Sequence, residues 1–472
     1  MWLGQRIQAW QYLAVGVNAV VTTGIYCLPS CAGRPSRHNV REYELAAAAE
    51  AAGFRACARC RPYRRPATVS SLTVPMLVCR GVQLVVAGLL DEVSEEKLGA
   101  ILGVSGRHIR RLFIEHLGIT PDKLARSTRV HFARRLLDDT ELSITEVTFA
   151  AGFGSVRQFN RDCKAVFRAT PSDLRARRRT SDRLTADGGL ALRLPVQSPF
   201  DWLAIVSSLA KRAIGGVEYV STECYRRTVV VDGDPGVVEI TPCGDGDLMV
   251  RAHLPHWNGL IHVVQRVRRL LNLDADVAGA ASHLAGDELI GPIVRRRPGV
   301  RALGTWDLFE AGVEAILSRH HDAAKVMTSM ALRYGRDVPG LAPLGLDRTF
   351  PSPRDILSAD LAALHLDQAC IRDLESLARA AASGSDGTDP TADNGVAIRE
   401  AVASRPDVAA ALALRMGDPD SFPGTRPEVL RAVSDLAGRP VTPQHAATIA
   451  EAWKPWRAHA VAYLCLHSAE TA

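Results

Sequence analysis

Residues 143–175 read SITEVTFAAGFGSVRQFNRDCKAVFRATPSDLR, and this pattern predicts two short helices joined by a tight turn. Ser143 and Ser155 each stand before a helical stretch, where a serine side chain can cap the first N–H groups of a helix. Gly152 lies between the two stretches and suits the turn that ends the first helix. The helix after Ser155 is basic. This arrangement is typical of a helix-turn-helix, whose second helix reaches base edges and phosphates.

The same pattern occurs earlier, in SEEKLGAILGVSGRHIRRLFIEHLG at residues 94–118. The equivalent positions are Ser94, Gly103 and Ser105. Each unit also leads into a repeated segment, GITPDKLARSTR and then RATPSDLRARRR, in which Thr can cap a helix and Pro takes its first position. We therefore predict two helix-turn-helix units. The candidate DNA-contacting residues are Arg107, His108, Arg110 and Arg111 in the first unit and Ser155, Arg157, Gln158 and Arg161 in the second.

Residues 72–178 resemble the AraC-type DNA-binding domain, most closely in the stretch quoted first. The resemblance implies an all-α domain that binds double-stranded DNA. A helical interaction domain without DNA contacts is the alternative interpretation of the same helices.

The charge of the chain is divided between its two ends. Residues 1–180 carry 27 Lys and Arg against 15 Asp and Glu, whereas the remainder carries 30 against 36. The net charge of +6 is therefore the sum of a basic N-terminal part and an acidic C-terminal part. Such asymmetry favours a nucleic-acid partner for the basic part. Since no stretch is long and apolar enough to cross a bilayer, we expect a cytoplasmic protein with no membrane partner.

Four cysteines lie in the first 60 residues, as Cys27-x3-Cys31 and then Cys57-x2-Cys60. In a reducing compartment, clustered cysteines indicate a metal site rather than disulfides. Two ligands from each of two tight turns fit tetrahedral Zn²⁺. Two interpretations follow: a purely structural zinc site, or a site in which one ionised thiolate is a nucleophile.

The segment TTGIYCLPSC…GR…NVREY…AAAAEAAGFRACARCRP resembles the N-terminal domain of Ada, the adaptive-response protein of alkylation repair, over about residues 18–63. The resemblance implies a zinc site that accepts one methyl group, irreversibly, from DNA methylphosphotriesters, and it assigns the acceptor to Cys27. It further implies a transcription activator that works on promoter DNA with RNA polymerase. The neighbouring arginines that suit phosphate contacts are Arg34, Arg37, Arg41, Arg55, Arg59 and Arg61.

Beyond a polar linker at 177–189, the chain contains two β-like runs, RRTVVVDG and GVVEITPCG, and is helical from about residue 256. Residues 195–472 resemble AlkA-type 3-methyladenine DNA glycosylases, in SPFDWLAIVSSLAKRAIGGVEYV, GPIVRRRPGVRALGTWDLFEAGVEAIL and AEAWKPWRAHAVAYL. The resemblance implies a β-rich domain followed by a helix-hairpin-helix bundle. The expected fold is thus multidomain α+β, with a zinc domain at 1–65, the double helix-turn-helix at 72–178, a β-rich domain at 192–290 and a glycosylase-like bundle at 291–472.

The residues that carry glycosylase chemistry in that family are replaced here. In the hairpin stretch AVASRPDVAAALALR, Ala403 and Arg405 stand where the family has glycines that admit a phosphate. Asp407 and Ala411 stand where it has the Trp and Tyr of its base pocket. Arg426 occupies the position of its catalytic aspartate. We therefore expect a degenerate glycosylase half; a bifunctional protein that also excises alkylated bases is the alternative.

Four further acidic or histidine positions bear on that half. Asp420 and Glu428 are the nearest carboxylates to Arg426, and Glu428 is expected to face away from it, about 200° around a helix. His320 and His321, in SRHHD, could suggest a metal site, which is disfavoured because Asp322 is the one further candidate ligand at helical spacing.

Overall fold

The 472-residue chain was analysed as a computed structural model. The structure describes residues 16–33, 35–65, 67, 69, 74–179, 182, 184, 189–244, 246–318, 323–383 and 395–470. Arg34, His320 and His321 lie outside the described residues, as do the first fifteen residues of the predicted zinc domain.

Near the start of the described chain, four strands form a small sheet in the order β3-β1-β2-β4. They are β1 (Val17–Val20), β2 (Ile25–Cys27), β3 (Val40–Tyr43) and β4 (Arg55–Ala56). Helix α1 (Ala46–Ala51) covers one face, where Tyr26, Ala49 and Phe54 share a small apolar core. Strands β2 and β4 run parallel, which brings their C-terminal ends to the same edge.

Eight helices of the described residues follow this sheet. They are α2 (Met76–Val86), α3 (Leu89–Glu92), α4 (Glu95–Ile101), α5 (Gly106–Leu117), α6 (Pro121–Asp139), α7 (Ile144–Ala150), α8 (Val156–Phe167) and α9 (Pro171–Ala176). Both predicted helix-turn-helix units are confirmed, as α4 with α5 and as α7 with α8.

Local hydrogen bonds explain why these helices begin where they do. The predicted serine caps are confirmed: Ser105 Oγ accepts the N–H of His108, and Ser155 Oγ accepts that of Gln158, both at 3.2 Å. The predicted threonine caps with proline next to them begin α6 and α9. Gly103 and Gly152 turn the chain with φ near +75°, a conformation that strains any residue with a Cβ atom.

A second sheet follows, in the order β5-β9-β8-β7-β6, with every pairing antiparallel. Its described strands are β5 (Leu190–Leu194), β6 (Glu218–Val220), β7 (Tyr225–Val231), β8 (Asp234–Pro242) and β9 (Leu248–His253). The two β-like runs of the sequence are confirmed as β7 and β8. Helix α10 (Trp202–Ala210) lies between β5 and β6 in the chain.

The rest of the described chain is helical, as predicted. Its helices are α11 (Leu260–Leu270), α12 (Val277–Leu284), α13 (Gly291–Arg296), α14 (Leu308–Leu317), α15 (Ala323–Tyr334), α16 (Pro353–Ser358), α17 (Gln368–Ser383), α18 (Gly395–Val402), α19 (Pro406–Arg415), α20 (Pro427–Ala437), α21 (Pro443–Ala450) and α22 (Arg457–Glu470). None of the helices in the described ranges combines the length and the apolar character needed to cross a membrane.

The hydrophobic cores join parts of the chain that differ in type. Phe153 and Phe159 of the second helix-turn-helix unit share one core with Tyr225 of the second sheet. At this junction the N–H of Gly259 donates to the carbonyl of Phe149 at 3.2 Å. The mixed α+β architecture is therefore as expected, while the predicted boundaries at 65, 72, 178, 192 and 291 stay predictions.

Candidate metal centre, DNA-facing helices and charged cavity

The four N-terminal cysteines converge in space. Their sulfur atoms lie within 4.8 Å of one another, close enough for bonds of about 2.3 Å to one ion. Cys27 ends β2 and Cys57 follows β4, so the parallel pairing of these strands sets the two residues side by side; the N–H of Cys57 donates to the carbonyl of Tyr26 at 3.0 Å. Cys31 and Cys60 each lie in the turn that follows.

The electrostatics of this cluster require a cation. Burial and the neighbouring sulfurs raise the pKa of Cys27 well above its usual value, and burial is also the main cause that raises the pKa of Cys60 to about 12. With the pKa of these two thiols raised, the full set of four sulfurs does not ionise at neutral pH unaided. A divalent ion that prefers thiolates offsets the repulsion, and four sulfur donors are the set that Zn²⁺ prefers.

A chain of polar contacts runs from the cysteine cluster to helix α6. The N–H of Arg61 donates to the carbonyl of Cys57. Two and three residues further on, Tyr63 Oη donates to Asp138 Oδ2 at 3.0 Å, and Arg64 donates to Asp139 Oδ1 at 2.7 Å. Asp138 and Asp139 are buried in the last turn of α6. The turn that carries Cys57 and Cys60 is thereby attached to α6, the helix between the two helix-turn-helix units.

A second contact to α6 comes from Glu50, at the packed face of α1. Its carboxylate accepts from Tyr26 Oη at 2.6 Å and from Ser127 Oγ at 2.8 Å, and it pairs with His131 Nε2 at 2.6 Å. Ser127 and His131 lie one turn apart on α6. The small sheet and the DNA-binding helices are therefore fixed to each other at two points.

One of the six arginines proposed for phosphate contacts is placed elsewhere. Arg61 is buried and donates to Asp182 at 2.6 Å, so the prediction that it is available to DNA is wrong. Arg61 points inward because Asp182 lies beside the turn that carries Cys57 and Cys60. The other described arginines of this set are exposed, namely Arg37, Arg41, Arg55 and Arg59.

The predicted DNA-contacting residues fall on the outer faces of α5 and α8. The exposed ones are Arg107, Arg110, Arg111, Ser155, Arg157 and Arg161, whereas His108 and Gln158 are half-buried. Arg110 pairs with Glu95 at 2.9 Å and Arg161 with Asp162 at 3.2 Å. Ser155 serves as the cap of α8. The arrangement presents two basic helix faces, and the individual DNA contacts stay predictions.

The hairpin of the C-terminal half is formed by α18 and α19. Ala403 and Arg405, which replace the family glycines, stay outside the positive-φ region, so no glycine is needed to close this turn. Arg405 pairs with Asp373 and lies 3.9 Å from Asp407 in the first turn of α19. Two carboxylates and the Arg405 guanidinium therefore lie at the helix N-terminus, the kind of position at which a phosphate can bind.

A cavity of about 820 Å³ lies between the ends of α10, α14 and α19 and the start of α20. Arg426 lines it as the N-cap of α20 and pairs with Glu428 at 2.5 Å. The prediction that Glu428 faces away is thus wrong, because Arg426 has an extended backbone and precedes the helix, so helical angles do not apply between the two residues.

A carboxylate that the sequence reasoning missed, Glu314 of α14, also lines this cavity. Arg415 donates to both of its oxygens at 3.1 Å, and Arg212 approaches it at 3.4 Å. Although burial by itself raises the pKa of Glu314, Arg415 and Arg212 hold it at about 2. The charge inside an otherwise apolar helix pattern was the one sequence signal that could have marked this residue.

Comparison with known families places these features together. Three family models match the chain: the metal binding domain of Ada at 11–63, a helix-turn-helix domain at 98–177, and the AlkA N-terminal domain at 191–307. A probable bifunctional transcriptional activator/DNA repair enzyme AlkA of Mycobacterium tuberculosis is 34% identical over 458 residues, which cover 95% of this chain and 92% of that protein. The chain belongs to this family of bifunctional AlkA proteins.

Two Escherichia coli proteins are similar to separate parts of this AlkA-family chain. The bifunctional transcriptional activator/DNA repair enzyme Ada is 34% identical over 163 residues, covering 34% of this chain and 44% of Ada. DNA-3-methyladenine glycosylase 2 is 29% identical over 302 residues, covering 57% of this chain and 94% of that enzyme. The predicted resemblances to Ada, AraC-type and AlkA domains are confirmed.

The predictions of a Zn²⁺ cofactor and of a DNA partner are also confirmed for this AlkA-family protein. The metal binding domain and the four-sulfur cluster establish Zn²⁺ as the cofactor. The helix-turn-helix domain establishes DNA as a partner. The roles assigned to single residues, from Cys27 to Arg426, stay predictions.

Proposed function

We propose that the chain takes a methyl group from DNA methylphosphotriesters onto Cys27 and then activates transcription of repair genes. The observation that carries this proposal is the physical attachment of the four-sulfur cluster to helix α6, through Tyr63 and Arg64 on one side and Glu50 on the other. A chemical change at the cluster is thereby linked to the helices that bind DNA.

The transfer is a displacement at carbon. The Cys27 sulfur attacks the methyl carbon, an S–C bond forms, and the C–O bond to the phosphotriester breaks with its electron pair leaving on the phosphodiester oxygen. Cys27, Cys31, Cys57 and Cys60 would hold the Zn²⁺, which would keep the Cys27 sulfur ionised at neutral pH. A thioether is a stable product, so the transfer occurs once.

The hydrogen bonds of the cluster support the assignment of Cys27 over two of its neighbours. Cys60 Sγ accepts the N–H of Leu28 at 3.4 Å, and backbone N–H groups of Arg59 and Cys60 lower the pKa of Cys57, against the opposing effect of burial. Sulfurs that accept N–H bonds are weaker nucleophiles, because the bonds stabilise the charge that must be donated. Burial is the main cause that raises the pKa of Cys27, followed by a hydrogen bond with the Cys57 side chain.

Methylation then acts as a charge switch. A zinc ion with four thiolates has a formal charge of −2, and alkylation of one sulfur makes it −1, which lowers its repulsion of the DNA backbone. The exposed Arg37, Arg41, Arg55 and Arg59 lie on the same small domain and can then approach phosphates. The methylated protein, in the cytoplasm, would bind promoter DNA and engage RNA polymerase.

Promoter affinity measured before and after methylation tests this proposal. We expect the full-length protein to bind promoter DNA more tightly after incubation with methylphosphotriester DNA, and unmethylated DNA to produce no such gain. Equal affinity for promoter and random DNA in both states would contradict the proposal.

The second helix-turn-helix unit provides a separate prediction. We expect Arg157→Ala to weaken promoter binding by about 1–3 kcal/mol, because this exposed arginine lies in the first turn of α8. Arg161→Ala should cost less, since Asp162 already holds its Nε. Fluorescence anisotropy over a range of salt concentrations measures both effects, and binding should fall steeply with salt. Arg372→Ala, an exposed arginine on α17, is the matched control; an equal loss there would refute the assignment.

The alternative function, excision of alkylated bases, is raised by the size of the cavity and by Glu314 within it. An aspartate or glutamate at such a site would stabilise the cationic sugar that forms as the base leaves. Arg212 and Arg415 already neutralise Glu314, and Arg426 adds positive charge where positive charge would develop. The electrostatics therefore oppose the reaction.

We accordingly expect the full-length protein to release no 3-methyladenine from alkylated DNA above the spontaneous rate. Arg426→Asp should not restore excision, because the hairpin glycines and the base-stacking aromatics at 407 and 411 are also replaced. Chromatography of the released bases measures the outcome. Excision well above the spontaneous rate in the unchanged protein would establish the bifunctional alternative.

A further inference from the structure

The charged cavity has a strong excess of cations. Seven cationic side chains among the described residues line it, against two carboxylates, which leaves an excess of five positive charges. The cations are Lys211, Arg212, Arg301, Lys325, Arg415, Arg426 and Arg431. The carboxylates are Glu314 and Glu428.

Each of the two carboxylates is already engaged by arginines of the cavity. Glu314 is held by Arg415 and Arg212, two cations for one anion. Glu428 is held by Arg426 at 2.5 Å. Repulsion among like charges destabilises a cavity of this kind unless an anion enters it, and the low-dielectric walls strengthen that attraction.

The cations are arranged in depth. Lys211, Lys325 and Arg431 are exposed and lie at the rim, whereas Arg301 is only 2% exposed. Arg426 lies between these levels: its side chain is 19% exposed, and its Nε is a buried donor with no hydrogen-bond partner among the described residues. Such an unmet donor is costly in the interior, and a ligand oxygen would satisfy it.

The remaining wall is apolar. Leu303, Met327 and Val461 are buried and line the same cavity. A volume of about 820 Å³ lies within the range of small-molecule sites, which combine apolar walls with a few well-placed polar groups. Guanidinium groups match phosphate oxygens in geometry and charge.

We propose that this cavity binds a phosphate-bearing ligand of nucleotide size, with the phosphate at Arg426 and Arg431 and the nucleoside against the apolar wall. Arg426, at the position where the family resemblance implies a catalytic aspartate, lines this cavity, and the charge of the cavity suits an anion and repels a cation. This proposal is independent of the zinc centre and of methyl transfer.

Binding of deoxyadenosine monophosphate and of deoxyadenosine to the full-length protein, measured by calorimetry, tests the proposal. We expect the monophosphate to bind more tightly than the neutral nucleoside, and its affinity to fall with salt. The double variant Arg426→Gln/Arg431→Gln should weaken monophosphate binding by about tenfold or more. The matched control is Arg354→Gln/Arg372→Gln, which changes the net charge equally at exposed positions outside the cavity; we expect less than about a twofold effect.

A short 5′-phosphorylated duplex identifies the source of the phosphate. A duplex that displaces the monophosphate and is itself weakened by the double variant indicates a DNA phosphate, whereas one that does neither indicates a free nucleotide. Equal affinity for nucleotide and nucleoside would overturn the proposal. Equal weakening in the two double variants, or no weakening in either, would place the anion elsewhere on the protein and would also overturn it.

Discussion

We expect the full-length protein to gain the mass of one methyl group after incubation with DNA that carries methylphosphotriesters, and the Cys27→Ser variant to gain none. The effect is all-or-none, because a serine hydroxyl stays protonated at neutral pH and does not replace a thiolate as the nucleophile. Intact-mass measurement gives the number of methyl groups, and peptide mapping of the unchanged protein should place the group on the peptide that contains Cys27.

Two controls separate loss of the acceptor from loss of the metal. Zinc content measured on the Cys27→Ser variant shows whether the three remaining cysteines keep the ion. Cys243→Ser, at a half-buried cysteine of the second sheet region, should gain a methyl group as the unchanged protein does. A protein that holds zinc but gains no methyl group would leave the cluster a structural site, and a methyl group mapped to Cys31 would transfer the acceptor role to that residue.

We expect Glu310→Gln to lower the free energy of unfolding of the C-terminal half by about 1.5–3 kcal/mol, the loss of a buried hydrogen bond between charged groups, since Arg227 keeps a second carboxylate, Glu218, at 3.4 Å. Glu310 of α14 accepts from Arg227 of β7 at 2.8 Å, and both are buried. The Arg227 guanidinium also lies 4.9 Å from the ring centre of Trp306. Although burial alone lowers the pKa of Arg227, Glu310 raises it, so the arginine remains charged.

Urea unfolding followed by tryptophan fluorescence measures this effect, since five of the seven tryptophans lie beyond residue 190. The matched control is Glu239→Gln on the neighbouring strand, where Glu239 pairs with Arg226 and with the exposed Arg251. A partly solvated network of this kind contributes about 0–1 kcal/mol per pair. Equal losses in the two variants would show that the Arg227–Glu310 pair contributes no more than a surface pair.

The two predictions test different parts of the molecule: the first tests the four-cysteine cluster, and the second tests the Arg227–Glu310 pair of the C-terminal half. In the C-terminal half, the Arg227–Glu310 pair is buried, whereas Arg426 lines the cavity at the position where the family resemblance implies a catalytic aspartate. Stability and catalysis depend on different residues, so a chain can keep the first after losing the second.

Much of the fold was readable from the sequence because its signals are local. A serine three residues before a backbone N–H, a glycine at a positive-φ turn and a proline at the first helical position act within one turn of chain. The caps Ser105 and Ser155 and the turns at Gly103 and Gly152 were predicted for this reason. Cysteine spacing predicted the metal ligands in the same way, because a pair of close ligands on each of two turns needs little else to meet.

The contacts that decide how the parts act together were set only by the tertiary structure. Asp138 is 75 residues from Tyr63, and Glu50 is 81 from His131. Arg61 pairs with the buried Asp182, and Glu428 pairs with Arg426. Glu314 lies between two arginines in the cavity. The sequence shows which charged residues could pair with each other. Packing determines which of them come within hydrogen-bond distance, and it excludes the water that would otherwise weaken their interaction.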